Sequence, residues 1–274
     1  MSFRRLPILM YHSICQYEND SSEDSTSPER FQAQMQYIKR HNMRGVSIRE
    51  LVQAVSLGNA KRLVGLTFDD AYEDFLPVAL PVLERLGFTA TLFVIGNMPT
   101  KAHWEHERGR HQPMPRRKLL GVDSVREVAA RGMEVGAHGM SHVDLSSLET
   151  KQLEEEVSGS RRVLSDVLGE TVEGFCYPYG RVNSTAIQAV RKAGYAYACS
   201  IHSRVERTVY DLPRVPIAER DHLPRFAAKL KIYSQYYAAK QILKGPIDSV
   251  AEVVRGSSDK QVSGLKAAKH RNTL

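Results

Sequence analysis

The sequence predicts an α/β protein built as one βα barrel. Three observations indicate this fold: short apolar runs that suit buried strands, amphipathic helices between them, and glycines that close the helices. Strands that alternate with helices at intervals of a few tens of residues are typical of parallel βα units. The pattern is compatible with an open barrel or with fewer than eight strands, and it ends near Leu230.

The predicted strands are short runs rich in branched and aromatic residues. In chain order they cover residues 6–11, 63–68, 89–95, 133–137, 174–177, 195–200 and 211–217. Polar side chains follow several of these runs. In a βα barrel such positions lie at the end where active sites form.

Helices are predicted between the strands. The first begins at Pro28, because proline suits the first helical turn, and it repeats apolar residues at Phe31, Met35 and Ile38. The others cover residues 47–57, 75–86, 123–131, 147–168 and 184–193. Asp123 is expected to cap the helix that it begins.

The composition is that of a soluble globular protein, with 42% hydrophobic and 25% charged residues. Three widely spaced cysteines argue against a disulfide framework or a cysteine-based zinc site. The first residues do not resemble a signal peptide, and no apolar run approaches the ~20 residues of a membrane span. We therefore expect a cytoplasmic protein, and no feature indicates an obligate protein partner.

The net charge of +7 comes from the C-terminal part of the chain. From Arg225 to Leu274 there are ten Lys or Arg and three Asp or Glu residues, a surplus equal to that of the whole chain. The sequence therefore predicts a folded domain over residues 1–229 and a basic extension over 230–274. The extension suits an anionic membrane surface, although a solvated tail is the commoner case, and no aromatic–basic pattern indicates nucleic acid.

One apolar run ends on two adjacent carboxylates, Asp69 and Asp70. Adjacent side chains on a strand point to opposite faces, but at the end of a strand both can turn toward one cavity. Two like charges so close need a positive group beside them, and a metal ion is the simplest one. The alternative is that the pair caps a following helix.

A second run ends on His138 and His142. Two imidazoles four residues apart share one face if the segment turns helically, which is a ligand spacing for a metal, although two surface histidines are an alternative. Together with one carboxylate they form a three-ligand set with open positions for water. The other carboxylate would then be free to act as a base.

A third run ends on Tyr177-Pro178-Tyr179-Gly180. Proline and glycine make a rigid turn around Tyr179, and a backbone N–H of such a turn can donate to a developing oxyanion. A plain turn is the alternative. Trp104, in the irregular segment 97–118, is the candidate for stacking on a sugar ring or for packing against the barrel rim.

These three motifs occur in the order and at the intervals of the polysaccharide deacetylases with a NodB-type domain, carbohydrate esterase family 4, which the chain resembles from about Leu6 to Phe226. The segments 9–12 and 212–216 are similar to the subgroup that deacetylates exopolysaccharides such as poly-N-acetylglucosamine. The resemblance implies a distorted (β/α)7 barrel and hydrolysis of N-acetyl groups on a carbohydrate. It also implies a divalent metal, for which we expect zinc, with cobalt, nickel or manganese as alternatives.

The resemblance also implies a role for each motif residue. Asp69 would be the general base, and a metal would be held by Asp70, His138 and His142. Tyr179 would supply an oxyanion N–H, and it would contact substrate together with Pro178.

The sequence departs from the family pattern at several positions. Ala71 replaces the usual glycine, and Cys176 replaces an arginine that pairs with the base. Arg214 could supply that charge from another strand end, with an exposed arginine as the alternative. The family's late Leu-x-His motif, the source of its general acid, is absent. His12 is the candidate acid, and His222 is a weaker one.

Three functions fit these observations. The first is an N-deacetylase acting on a polysaccharide or on a lipid- or nucleotide-linked precursor. Because no export signal is evident, a precursor at the inner membrane face fits better, with the basic extension resting on that membrane. The second is a catalytically impaired carbohydrate-binding relative, and the third is a C–N hydrolase of a small amide, since one barrel supports many chemistries.

Overall fold

The computed structural model describes residues 6–16, 25–97, 118–201, 205 and 208–231. The predictions for Trp104 and for the extension beyond residue 231 concern residues outside this description. The strands are β1 (Ile8–Tyr11), β2 (Arg44–Val46), β3 (Leu63–Phe68), β4 (Thr91–Val94), β5 (Glu134–Ala137), β6 (Gly174–Cys176), β7 (Tyr197–Ile201) and β8 (Leu212–Pro216). The helices are α1 (Pro28–Arg40), α2 (Ile48–Ser56), α3 (Ala79–Leu86), α4 (Val122–Ala130), α5 (Thr150–Leu168) and α6 (Ser184–Lys192), followed by helical backbone over 223–231.

Seven of the strands close into a parallel barrel. They run around it in the order β1, β8, β7, β6, β5, β4, β3, and β3 pairs again with β1 to complete the ring. Strand β2 lies outside this ring and pairs only with the first half of β3. The predicted α/β fold is therefore confirmed as a closed seven-stranded barrel in one domain.

The sequence prediction missed one strand and misplaced three helix starts, of which α5 begins at Thr150 rather than at residue 147. Strand β2 has three residues, which is too short for a recognisable apolar run. Helix α3 begins at Ala79, because the segment before it forms a 3₁₀ turn over Glu73–Phe75. Helix α4 is capped by Gly121, and Asp123 lies in its first turn rather than at the cap.

The strands carry a core on each of their two faces, because successive side chains alternate between the inside and the outside of the barrel. In β3, Val64, Leu66 and Phe68 pack outward in the layer beneath the helices. Leu63 belongs to a second cluster that fills the barrel interior. Thr67 and then Asp69 continue the inward-facing positions toward the carboxyl end of the strand.

The amino-terminal end of the barrel is closed by α2. The backbone N–H groups of Ile48 and Arg49 donate to Thr91 Oγ1 and Glu134 Oε2 at 2.8 and 2.9 Å. The Tyr197 hydroxyl donates to the other oxygen of the Glu134 carboxylate at 2.8 Å. A cavity in the barrel can therefore open only at the carboxyl ends of the strands, where the candidate residues lie.

None of the helices described combines the length and hydropathy needed to cross a bilayer.

Candidate active site

The two adjacent aspartates reach the same cavity because the backbone turns sharply after β3. Asp69 keeps the inward-facing position of a strand residue, whereas Asp70 and Ala71 adopt left-handed backbone, with φ of 69° and 58°. This turn brings both carboxylates inside, and each residue is only 3% exposed. The alternative that the pair caps a helix does not apply, since α3 begins only at Ala79. Left-handed residues with side chains are strained, by roughly 1–2 kcal/mol each, and they cluster at functional sites.

The two histidines meet through a bent loop and not through the helical turn that their spacing suggested. His138 follows β5, Gly139 has a φ of 74° and His142 a φ of 58°. The loop folds back on itself, so the two imidazole rings lie edge to face with centroids 4.8 Å apart. Both rings are buried.

Asp70, His138 and His142 form a donor set that fits a metal ion. Oδ1 of Asp70 lies 3.3 Å from Nε2 of His142 and 3.5 Å from Nε2 of His138. Ligand atoms held tetrahedrally at about 2.0–2.1 Å from a metal lie about 3.3–3.4 Å apart. This oxygen is buried and accepts no hydrogen bond from the part of the chain described. A buried carboxylate oxygen between two imidazoles is what a three-ligand zinc-type site requires.

The orientation of the His138 ring is fixed by a hydrogen bond to backbone on the side away from Asp70. Its Nδ1 lies 2.9 Å from the backbone carbonyl of Cys176, so that nitrogen carries the proton and donates to the carbonyl. The opposite nitrogen, Nε2, faces Asp70 and is the atom through which a neutral imidazole could bind a metal. A ligand histidine held in this way keeps its ring orientation and tautomer before a metal binds.

Asp69 is held by a buried bidentate ion pair with Arg214. Nη1 and Nη2 of Arg214 donate to the two carboxylate oxygens at 2.6 and 2.7 Å. The guanidinium also donates to Thr67 Oγ1 at 3.0 Å and lies 5.6 Å from the centre of the Phe93 ring. The Arg214 side chain is fully buried. The alternative of an exposed arginine is therefore wrong.

The Arg214 guanidinium makes an arginine at position 176 unnecessary, which is why a cysteine is compatible with the site. Sγ of Cys176 lies 2.9 Å from Nη2 of Arg214 and 3.7 Å from Oδ2 of Asp69. Arg214, which comes from β8, thus occupies the space beside the base that an arginine at position 176 would reach. Asp69, His138 and Cys176 also form a close donor group, but Arg214 places its positive charge against two of them, which disfavours a cation there.

Burial and charge act in opposite directions on the two aspartates. Burial alone would raise the pKa of Asp69, but Arg214 and then His138 outweigh it and hold the pKa well below its ordinary value. For Asp70, burial again raises the pKa, and the imidazoles of His142, His12 and His138 lower it further than burial raises it. Both carboxylates are therefore ionised at neutral pH, as a base and a ligand must be.

The Tyr179 turn lies against the histidine loop. Pro178 and Gly180 are buried, and Tyr179 adopts left-handed backbone with a φ of 58° and a ψ of 5°. The Tyr179 ring lies edge-on to His142, with centroids 4.7 Å apart. The turn predicted from the sequence is thus present beside the candidate metal ligands.

The two candidate acids differ in where they lie. His12 follows β1, is half-buried, and lies close enough to Asp69 and Asp70 to lower the pKa of both carboxyls. His222 is exposed. The residues after His12 are fixed by Asp74, which accepts hydrogen bonds from the Ser13 hydroxyl and, at 2.9 Å, from the backbone N–H of Ile14.

Asp74 and Glu156 were not identified from the sequence. Each uses its carboxylate to hold backbone N–H groups of a loop that carries a candidate site residue. One follows the Asp-Asp pair in a 3₁₀ turn and the other lies within α5. Acidic residues in such positions are ordinary, so no sequence pattern could have distinguished them.

Comparison with known proteins gives the family directly. The sequence profile described as polysaccharide deacetylase matches residues 57–198, which is just over half of the chain and includes all three motifs. The chain belongs to the polysaccharide deacetylase family.

Two relatives named as deacetylases match about 70% of this chain. YxkH of Bacillus subtilis, a relative named after the same family, is 28% identical over 194 residues, which are 70% of this chain and 62% of YxkH. A Staphylococcus aureus poly-β-1,6-N-acetyl-D-glucosamine N-deacetylase is 24% identical over 208 residues, 71% of this chain and 68% of the relative. The structure of the Streptococcus pyogenes deacetylase PplD, in complex with acetate, matches with a TM-score of 0.69 and 25% identity, covering 82% of this chain and 97% of PplD.

Proposed function

We propose that this protein is a metal-dependent hydrolase that removes N-acetyl groups from an N-acetylated sugar. The observation that carries the proposal is the meeting of Asp70, His138 and His142 around one buried carboxylate oxygen, with Asp69 ionised beside them. Membership of the deacetylase family supports the same reaction. The donor set of two imidazoles and one carboxylate favours zinc, and cobalt, nickel or manganese would also fit.

A divalent ion held by these three residues would polarise the acetyl carbonyl and acidify a water molecule. Asp69 accepts the proton that this water loses as its oxygen attacks the carbonyl carbon. Arg214 keeps Asp69 unprotonated before the attack, and the rigid ion pair holds its carboxylate in place.

Two further groups complete the reaction. The backbone N–H of Tyr179 donates to the carbonyl oxygen as it becomes an oxyanion. His12 donates a proton to the sugar nitrogen as the C–N bond breaks, because an amine anion is too poor a leaving group to depart unprotonated. The products are acetate and a free amino sugar, and the proton taken by Asp69 replaces the one that His12 has given up.

The name of one relative supports a substrate class. The Staphylococcus aureus relative is named for poly-β-1,6-N-acetyl-D-glucosamine, so an N-acetylglucosamine unit is the group that we expect here. We further propose that a lipid- or nucleotide-linked N-acetylglucosamine is used in preference to the finished polymer. Acetate release from UDP-N-acetylglucosamine and from a β-1,6-linked oligomer, measured side by side, tests this preference.

The experiment that tests the function is acetate release with metal-free and zinc-loaded protein. We expect release that requires zinc and that falls to background in Asp69→Asn. Glu155→Gln is the matched control, because Glu155 is an exposed acidic residue on α5. Sugar binding without acetate release at any metal would indicate the carbohydrate-binding alternative instead. Release from a small amide, but not from any N-acetylated sugar, would indicate the third function.

A further inference from the structure

The loop that carries the two histidines is held by a carboxylate from a neighbouring helix. Oε2 of Glu156, in α5, accepts hydrogen bonds from the backbone N–H groups of Met140 at 2.8 Å and of Ser141 at 3.0 Å. Both donors lie between His138 and His142. One oxygen atom therefore fixes the middle of the segment whose two ends carry the candidate metal ligands.

The opposite side of the same loop is fixed by backbone. The N–H groups of Gly96 and Asn97 donate to the carbonyls of Gly139 and Met140 at 2.8 and 2.9 Å. The Asn97 amide also donates to Ser141 Oγ at 3.0 Å. The loop is thus clamped between the residues after β4 and the Glu156 carboxylate, and replacing the Glu156 side chain removes two hydrogen bonds to the loop backbone without altering the loop itself.

We propose that Glu156 is a positioning residue for the metal centre, which acts by holding the histidine loop in the shape that aims both Nε2 atoms at Asp70. The inference rests on the proposed function, because it assigns a task within the same site. The strained backbone at His142 and the sharp turn at Gly139 need an external contact to persist, and Glu156 supplies one. Residues that orient metal ligands from behind typically contribute 10–100-fold to metal affinity.

The role differs from general support of the fold. Helix α5 is anchored by the buried side chains of Leu153, Val157 and Leu164, which pack in the outer core without help from Glu156. Loss of the carboxylate should therefore leave α5 in place and release only the loop.

Two substitutions of Glu156 can test separately whether the loop needs the position of the carboxylate oxygen or its negative charge. Because a single oxygen accepts both hydrogen bonds, a glutamine amide oxygen can take its place. Glu156 lines an open cavity of about 710 Å³, which leaves room for the amide NH₂. Aspartate keeps the charge but is one methylene shorter, so its oxygens no longer reach the loop. Glu156→Gln should therefore preserve the clamp, and Glu156→Asp and Glu156→Ala should lose it.

The test is the zinc affinity of the full chain, measured by competition with a chromogenic chelator after the protein has been made metal-free. We expect binding about 10–100-fold weaker in Glu156→Ala and Glu156→Asp, and within about threefold of wild type in Glu156→Gln and in the control Glu155→Ala. The melting temperature of each metal-free variant, compared with wild type, shows whether the fold is intact. If Glu156→Ala does not fold, the Asp and Gln variants decide.

Two results would overturn the inference alone: unchanged zinc affinity in Glu156→Asp, or weaker zinc binding in Glu156→Gln than in Glu156→Asp, which would make charge rather than position the cause. A wild-type protein that binds no zinc, cobalt, nickel or manganese would overturn the proposed function and this inference together. The two failures are therefore distinguishable.

Discussion

Replacing Arg214 with methionine tests how the base is kept ionised. The substitution keeps an unbranched side chain but removes a buried guanidinium that makes two short hydrogen bonds to Asp69. An adjacent opposite charge lowers a carboxyl pKa by about 1–3 units, and burial raises it once that charge is gone. The pKa of Asp69 should therefore rise by about 2 units or more.

The consequence is a displaced pH profile. A base with a raised pKa is protonated over more of the acidic range, so activity is lost at low pH and recovers as pH increases. We expect the acidic limb of kcat/KM for acetate release to move up by about 2 pH units or more in Arg214→Met. Zinc affinity should change little, because Arg214 contacts none of the three ligands proposed here.

The same substitution should also lower stability. Breaking a buried ion pair costs about 3–5 kcal/mol, because the remaining charge stays buried. For a domain of this size that corresponds to a melting temperature lower by about 6–20 °C.

Placing an arginine at position 176 of the variant, as Cys176→Arg/Arg214→Met, should restore part of the lost stability and part of the lost activity at low pH. Cys176 Sγ lies 2.9 Å from the guanidinium that is removed, so the new arginine can reach the same place. An unchanged acidic limb in folded Arg214→Met would refute the reasoning.

Three further predictions follow from the site and its surroundings. Asp74→Ala should lower kcat for acetate release from an N-acetylated sugar, because Asp74 fixes the residues after His12, while hydrolysis of an activated acetate ester, whose leaving group needs no proton, should change little. A water-soluble thiol reagent should modify only Cys15 in the native protein, because burial raises the pKa of Cys176 well above its ordinary value and that of Cys199 to about 12. Metal-free protein should lose stability as pH falls below about 4, because the folded pKa values of Asp69 and Asp70 are lowered and their contribution vanishes as they become protonated.

Each of these has a contrary outcome. Equal losses on the amide and on the activated ester would mean that Asp74 acts through the fold and not through the acid. Modification of more than one thiol before unfolding would show that the barrel interior is open to the reagent. Denaturant midpoints that stay constant from pH 6 to pH 3 would show that neither aspartate is stabilised by its neighbours.

The barrel could be predicted because each strand and helix has its own local sequence pattern, and these patterns repeat along the chain. Strand β3 is an apolar run bounded by polar residues, and α5 ends at Gly169, which adopts the left-handed backbone typical of a helix end. Strand β2 could not be predicted, since three residues carry no periodicity and its pairing to β3 depends on contacts made elsewhere.

The candidate site could be predicted only in part, because the sequence shows its residues but not the backbone conformation that brings them together. Asp70 and the two histidines stand out in the sequence, because such residues directly after apolar runs are unusual. What brings them together is backbone conformation, namely the left-handed turn at Asp70 and Ala71 and the folded loop at Gly139, and the sequence does not show it. The role of Glu156 could not be predicted either. Its carboxylate accepts hydrogen bonds from backbone N–H groups of residues 15 and 16 positions earlier in the chain, and backbone donors leave no pattern in the sequence.

The most direct test of the account is a crystal structure of the zinc-loaded protein, with the ion located by its anomalous scattering. We expect one ion bonded to a carboxylate oxygen of Asp70 and to Nε2 of His138 and His142, each at about 2.0–2.2 Å, with Asp69 still paired to Arg214. An ion bound elsewhere, or bound at this place without Asp70, would contradict it.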